Sequence, residues 1–289
     1  MVNRNNKIII GAAQFGMDYG VNNSRGKISE KEVYNILNYA FLNGINEIDT
    51  ASNYGDSEII IGNYLKKFSN NHFKVSTKIS SKDKLLKEQV QNSLERLKLS
   101  KVHKILFHSY SVYDYFKNQL DEFRDNFRED IYNEIGVSVY TNEEIELLIN
   151  DNRIQIIQAP FNLLDNFNYR GESFKKVKLK GKKLDVRSVF LQGLFFKNQN
   201  NLNKKMLPFK DSLIQLNEIS KSSGYKIEEL ALGYVNTFNF IDKIVIGVDS
   251  LSQLKRNLKS FSIKLSKEIK NSLESIVFLD SPLLNPKEW

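Results

Sequence analysis

Cysteine is missing from all 289 residues, which excludes disulfides, Cys-ligated zinc, iron–sulfur clusters and a cysteine nucleophile, and suits a reducing compartment. Histidine is nearly missing too. With only 3 His in the chain, a His-rich metal centre is not expected, and no metal site is assigned. Proline (4) and glycine (14) are too scarce for a collagen-like repeat or a low-complexity linker. No apolar run reaches the roughly 18 to 20 residues of a membrane span. The start Met1-Val2-Asn3-Arg4-Asn5-Asn6 has no apolar stretch of signal-peptide length. The expectation is a soluble, cytoplasmic protein without a membrane partner.

What the chain does contain is enough apolar material, 41% of its residues, to bury a large core. Its length fits one large domain or two small ones. Lys and Arg number 42 against 34 Asp and Glu, a formal charge of +8 that would suit a polyanion or an anionic small molecule. The excess is spread along the chain, with one dense run: Lys175, Lys176, Lys178, Lys180, Lys182 and Lys183. Phe174 and Val177 fall at helical spacing inside it, so a solvated helix face is expected, with an anion patch as the alternative. No nucleic-acid recognition motif accompanies it, and no nucleic-acid partner is expected.

Short β-branched runs alternate with amphipathic segments throughout. Strands are expected at residues 7–12, 46–49, 73–78, 104–107, 134–139, 154–159, 183–189 and 243–246. Behind the first lies a helix with Val33, Ile36, Leu37, Ala40 and Phe41 on one face, Ser29 as N-cap and Gly44 as its stop. Further helices are marked by residues 57–68, by Val90, Leu94 and Leu97, by Ile145, Leu148 and Ile149, and by Leu251, Leu254 and Leu258. Extra helices are expected at residues 213–220 with 227–235, and at 263–277. Eight strands separated by helices, with no linker, predict a single-domain (β/α)8 TIM barrel over residues 1–289, with extra helices near the C-terminus. A doubly wound open sheet would carry G-x-G-x-x-G after its first strand, and Gly11-Ala12-Ala13-Gln14-Phe15-Gly16 lacks that spacing.

In such a barrel the chemistry gathers at the C-terminal strand ends. Asp49 ends the second strand, Tyr54 follows in its loop, Lys78 ends the third and His108 follows the fourth. Each alone has an ordinary explanation: a cap, a solvated lysine, a structural histidine. Together they are four groups able to move, orient or polarise a proton around one mouth.

These residues stand in motifs that resemble the aldo-keto reductase family, and in particular its compact bacterial members. The motifs are Asp49-Thr50-Ala51-Ser52-Asn53-Tyr54-Gly55-Asp56-Ser57-Glu58, then Thr77-Lys78 and Phe107-His108. Further matches are Gly11 to Gly16, Gly136-Val137-Ser138, Gln158 with Asn162, Leu191-Gln192-Gly193-Leu194, and Gly247-Val248-Asp249-Ser250 with Gln253 and Asn257. The resemblance implies metal-free hydride transfer between a nicotinamide and a carbonyl. Tyr54 would supply the proton. Lys78 would lower the phenol's pKa, Asp49 would hold Lys78 charged, and His108 would hydrogen-bond the carbonyl oxygen.

The same resemblance assigns Gly11, Ala13 and Gln14 to the cofactor, the nicotinamide carboxamide to Ser138 and Gln158, the pyrophosphate to Leu191, Gln192 and Gly193, and the adenosine end to Gly247, Val248, Asp249, Ser250, Gln253 and Asn257. Three positions depart from the family pattern. Val139 replaces a common Asn, and Arg187 stands where many relatives stack an aromatic ring on the nicotinamide. Asp249 replaces the basic residue that pairs with the 2′-phosphate of NADP(H), so that NAD(H) becomes an option, although Lys255 and Arg256 are close by. The substrate would be a small carbonyl compound, an aldehyde, ketone or keto-sugar, contacted by Phe15 or Tyr19, by Tyr110 and by the last residues. Trp289 is expected to pack on the surface. No particular substrate and no oligomer interface is assigned. The rival readings are a silent nicotinamide-binding regulatory barrel and a Schiff-base enzyme using Lys78, the latter disfavoured by the carboxylate of Asp49.

Overall fold

Both faces of the strands are buried, which is why their sequences run in β-branched residues with little alternation. Ile8, Ile9 and Ile10, for example, are each at most 1% exposed. The computed structural model describes residues 4–23, 26–278 and 281–289; Met1, Val2 and Asn3 of the N-terminal stretch discussed above lie outside them.

Strand β1 (Ile8–Gly11) is followed by a one-turn helix α1 (Ala13–Gly16) and by α2 (Glu30–Leu42). Then come β2 (Glu47–Asp49) with α3 (Ser57–Lys67), β3 (Lys74–Ile79) with α4 (Leu86–Leu97), and β4 (Val102–Phe107) with two helices, α5 (Tyr110–Phe116) and α6 (Leu120–Ile131). β5 (Tyr132–Ser138) precedes α7 (Asn142–Leu148), and β6 (Ile156–Pro160) precedes α8 (Phe167–Leu179). After β7 (Lys183–Arg187) a long connection reaches α9 (Lys210–Ser223) and α10 (Ile227–Asn236); β8 (Lys243–Gly247), α11 (Leu251–Phe261) and α12 (Lys267–Glu274) follow. All eight strands pair in parallel in chain order, and β8 pairs with β1, so the sheet is a closed barrel. The expected (β/α)8 architecture is the one observed.

Local signals set the helix ends. Ser29 Oγ accepts the Glu32 amide at 3.3 Å, a cap worth about 1 kcal/mol, and Gly44 takes the left-handed backbone (φ 78°) just past α2. Several boundaries differ from expectation. The helix expected at 263–277 is only α12, because Ser266 starts it by accepting the Ile269 amide. Pairing of Val102 with Tyr132 extends β4 and β5 toward their N-termini. β7 stops at Arg187 rather than 189 because Ser188 turns to φ 60°. The short α1, and α5 and α6 between β4 and β5, were not expected.

Charged side chains fill the lower barrel. Lys104 Nζ lies 2.8 Å from Asp185 and 3.4 Å from Glu47, and Lys243 Nζ lies 2.5 Å from Glu47. Of the basic run, four lysines have carboxylate partners and Lys182 is buried. Lys175 pairs with Glu172, Lys176 with Glu146, Lys178 with Asp242 and Lys183 with Glu134; Lys182 donates to the carbonyls of Asp151 and Ile154. Among the described residues no helix is long and apolar enough to cross a membrane.

Candidate active site

A cavity of about 330 Å³ opens at the C-terminal ends of the strands, and Asp49, Tyr54, Lys78 and His108 all line it. This volume lies at the lower end of the ordinary range for small-molecule sites. Asp49 and Lys78 point inward from β2 and β3, are 4% and 1% exposed, and form a buried ion pair. Lys78 Nζ also donates to the Thr50 carbonyl at 2.9 Å. From across the barrel, Gln158 Nε2 donates to the other oxygen of Asp49 at 2.9 Å. The Gln158 Oε1 atom is buried and has no hydrogen-bond partner.

Tyr54 is placed by a tight turn. Its amide donates to the Ala51 carbonyl and its carbonyl accepts from the Ser57 amide, while Ser57 Oγ ties α3 to the Ala12 carbonyl at 2.8 Å. Gly16 of α1 presses against this turn so closely that a Cβ there would lie 1.8 Å from the Tyr54 carbonyl oxygen. The Tyr54 hydroxyl faces His108 Nε2 at 3.5 Å, a long contact of the kind that tightens only when substrate is bound. His108 Nδ1 is held 2.9 Å from Ser80 Oγ.

The Lys78 ammonium lies 5.1 Å from the centre of the Tyr54 ring. The expected lowering of the phenol's pKa by Lys78 is not what this arrangement produces. Burial pushes the Tyr54 phenol well above its ordinary value and the Asp49 carboxylate adds to this, with Arg187 opposing. The physical reason is first the burial of the phenol and second the negative charge of Asp49. Tyr19 lines the same cavity, and burial pushes its phenol up to about 12.

Of the residues assigned to the cofactor, Gly11, Ala13, Gln14, Ser138, Gln158, Arg187, Gln192, Gly193, Gly247, Asp249 and Gln253 all line the cavity. Leu191 and Val248 do not line it; both are fully buried in the hydrophobic core. Ser250 caps α11 by accepting the Gln253 amide at 3.2 Å, and Asn257 is buried within that helix. Two expected substrate contacts are also elsewhere. Phe15 is fully buried in the core, because α1 turns its ring inward, and Tyr110 packs on Tyr113 at the start of α5. The C-terminus does not reach the mouth: Trp289 packs edge-on against Phe209 and donates to the Leu283 carbonyl.

Several cavity residues escaped the sequence reading, among them Asn53, Tyr140, Ser188 and Phe196. Tyr140 follows β5 closely, and the strand-end rule alone would have pointed to it. The Arg187 guanidinium stacks on the Tyr140 ring at 4.3 Å. Backbone strain marks the loop after β7. Of the four described non-glycine residues with positive φ, three are here: Ser188, Leu191 and Gln192. Such conformations cluster at ligand sites. The loop after β1 joins this one where the Val21 amide donates to the Gln192 carbonyl at 3.0 Å, an arch across the end of β8, which lies between the two strands. At the start of α11 the Leu251 amide donates to Glu32 Oε1 at 2.8 Å. Among the described residues no cluster of three or more His, Asp or Glu is placed to hold a metal.

Comparison with known proteins follows the same lines. Residues 7–277 match the family model described as the aldo/keto reductase family. Among solved structures, the aldo-keto reductase AKR11C1 of Bacillus halodurans, in its holo form, superimposes with a TM-score of 0.76 at 21% identity, covering 95% of this chain and 94% of its own. An aldo-keto reductase structure from Pseudomonas aeruginosa gives a TM-score of 0.65 at 17% identity, covering 89% of each chain. No curated protein matches the chain significantly by sequence. With nearly its whole length matched by the family model and the site motifs gathered at one barrel mouth, the chain belongs to the aldo/keto reductase family.

Proposed function

We propose that this protein is a nicotinamide-dependent carbonyl reductase in which Tyr54 donates the proton. The observation that carries the reading is the convergence of Asp49, Tyr54, Lys78 and His108, from three separate strand ends, on one cavity. When bound, the dinucleotide supplies a hydride to the carbonyl carbon. His108 and the Tyr54 hydroxyl, 3.5 Å apart, would grip the carbonyl oxygen between them. Burial keeps the phenol protonated, so the proton is in place, and an alkoxide developing on the carbonyl oxygen is a stronger base than the phenolate and would take it. The Asp49–Lys78 ion pair fixes the buried wall against which the Tyr54 ring lies.

The cavity suits the cofactor chemically. The unsatisfied Gln158 Oε1 needs a donor from a ligand, and a carboxamide N–H is one. At the far end, Asp249 lines the cavity and Glu32 occupies the first amide of α11. A helix N-terminus would otherwise attract a phosphate, so two carboxylates there support NAD(H) over NADP(H). The test is oxidation of NADH and of NADPH against a panel of aldehydes, ketones and keto-sugars. Turnover with NADH at least matching NADPH is expected, and silence with every carbonyl would reject the reading.

A further inference from the structure

Arg187 brings an unmatched positive charge to the reacting end of the cavity. It is half-buried at the end of β7 and lines the cavity with Tyr19, Tyr54 and Tyr140. Its hydrogen-bond partners are all neutral: Nε donates to Ser138 Oγ at 3.2 Å, Nη1 to Ser188 Oγ at 3.1 Å and Nη2 to the Val139 carbonyl at 3.0 Å. A guanidinium has five N–H donors, so one on each terminal nitrogen is still open, a two-pronged donor suited to a carboxylate or phosphate.

The neighbouring carboxylates are committed elsewhere. Asp165, whose ionisation senses Arg187, is gripped by Arg170 through both oxygens, at 2.6 and 2.8 Å. Asp49 is held by Lys78 and Gln158. Among the described residues Arg187 enters no ion pair. Stacking on Tyr140 and three hydrogen bonds fix the guanidinium in place, so its orientation is set before any ligand arrives. A partly buried cation without a counter-ion is unfavourable unless a ligand supplies the negative charge.

Accepting the carbonyl-reductase reading, on which this rests, we infer that the substrate is an anionic carbonyl compound, with a carboxylate or phosphate close to the carbonyl and held by Arg187. Arg187 and Tyr54 line the same cavity, so an anion held by Arg187 shares the chamber in which the carbonyl would meet the phenol.

The experiment compares 4-carboxybenzaldehyde with its methyl ester, and glyceraldehyde 3-phosphate with glyceraldehyde, in the wild-type enzyme and in Arg187→Gln and Arg187→Lys. Binding is read by calorimetry with oxidised cofactor present, where no reduction occurs, and turnover is read separately. The wild type is expected to favour one anionic member over its neutral partner by about tenfold or more, as charge-assisted hydrogen bonds require. Which pair shows the preference tells carboxylate from phosphate. Arg187→Gln should bring the ratio toward one, and Arg187→Lys should retain part of it. Equal binding of neutral and anionic members by the wild type overturns the inference. So does a variant that weakens cofactor binding and leaves the ratio unchanged. A binding preference without any reduction sustains the anion site and rejects the reductase reading alone.

Discussion

Gln158 donates to Asp49 across the barrel, so the carboxylate that neutralises Lys78 is itself held from the opposite wall. The ion pair is thus part of a network, and breaking it has a defined cost. Asp49→Asn leaves a buried ammonium facing a neutral amide. It should destabilise the protein by about 3–5 kcal/mol in urea unfolding, with much of this recovered on adding Lys78→Met. Unchanged stability in the single variant would show that the pair carries little.

Removal of the proposed proton donor should separate chemistry from binding. Tyr54→Phe is expected to lower kcat for carbonyl reduction by about 100-fold or more, with the dissociation constant for the cofactor, read by fluorescence titration, unchanged. Near-normal turnover would assign the proton to another group.

The pH dependence follows from the upward displacement of the Tyr54 phenol by burial and by Asp49. A raised pKa keeps the acid form present through neutral and mildly alkaline pH, so kcat/KM for reduction should show no loss of the donor between about pH 6 and 9. Oxidation of the alcohol needs the phenolate and should climb with pH by about tenfold per unit in the same window. A falling reductive limb near neutrality that is absent in Tyr54→Phe would contradict this.

Close packing of α1 on the catalytic turn gives a steric test. In Gly16→Ala the new Cβ would meet backbone on two sides, the Tyr54 carbonyl at 1.8 Å and the Ser57 amide at 2.3 Å. Backbone cannot swing aside as a side chain can. A loss of about 1–3 kcal/mol in stability and a fall in kcat larger than any change in cofactor affinity are expected.

Cofactor choice should respond to the acidic end of the cavity. Asp249→Ala and Glu32→Gln are each expected to tighten NADPH relative to NADH, measured as the ratio of dissociation constants, and the double variant should shift it further. A strong wild-type preference for NADPH that persists in Asp249→Ala would refute the role given to that carboxylate.

The barrel was legible because its strands are buried on both faces and its helices on one, so periodicity separated them without further information. Asp49, Lys78 and His108 could be placed at the cavity because each stands at or beside a strand end, and Tyr54 because it lies in the loop after β2. What escaped was set by tertiary contact. Phe15 reads as a loop aromatic until α1 turns it into the core. Lys104 and Glu47 fall within expected strands, but only closure of the barrel brings them together with Asp185. The upward shift of the Tyr54 phenol comes from its burial and from Asp49, which no spacing in the sequence reveals. Arg187 was visible as a departure from the family pattern, yet its ring partner proved to be Tyr140 of this same chain.

The arch made by Val21 and Gln192 spans the end of β8 on one backbone hydrogen bond. Such a bond contributes roughly 0.5–1.5 kcal/mol net, no more than a few times thermal energy. The crossing is therefore far weaker than the parallel ladders of β7, β8 and β1 beneath it, so that opening it would cost little and leave the barrel's register untouched.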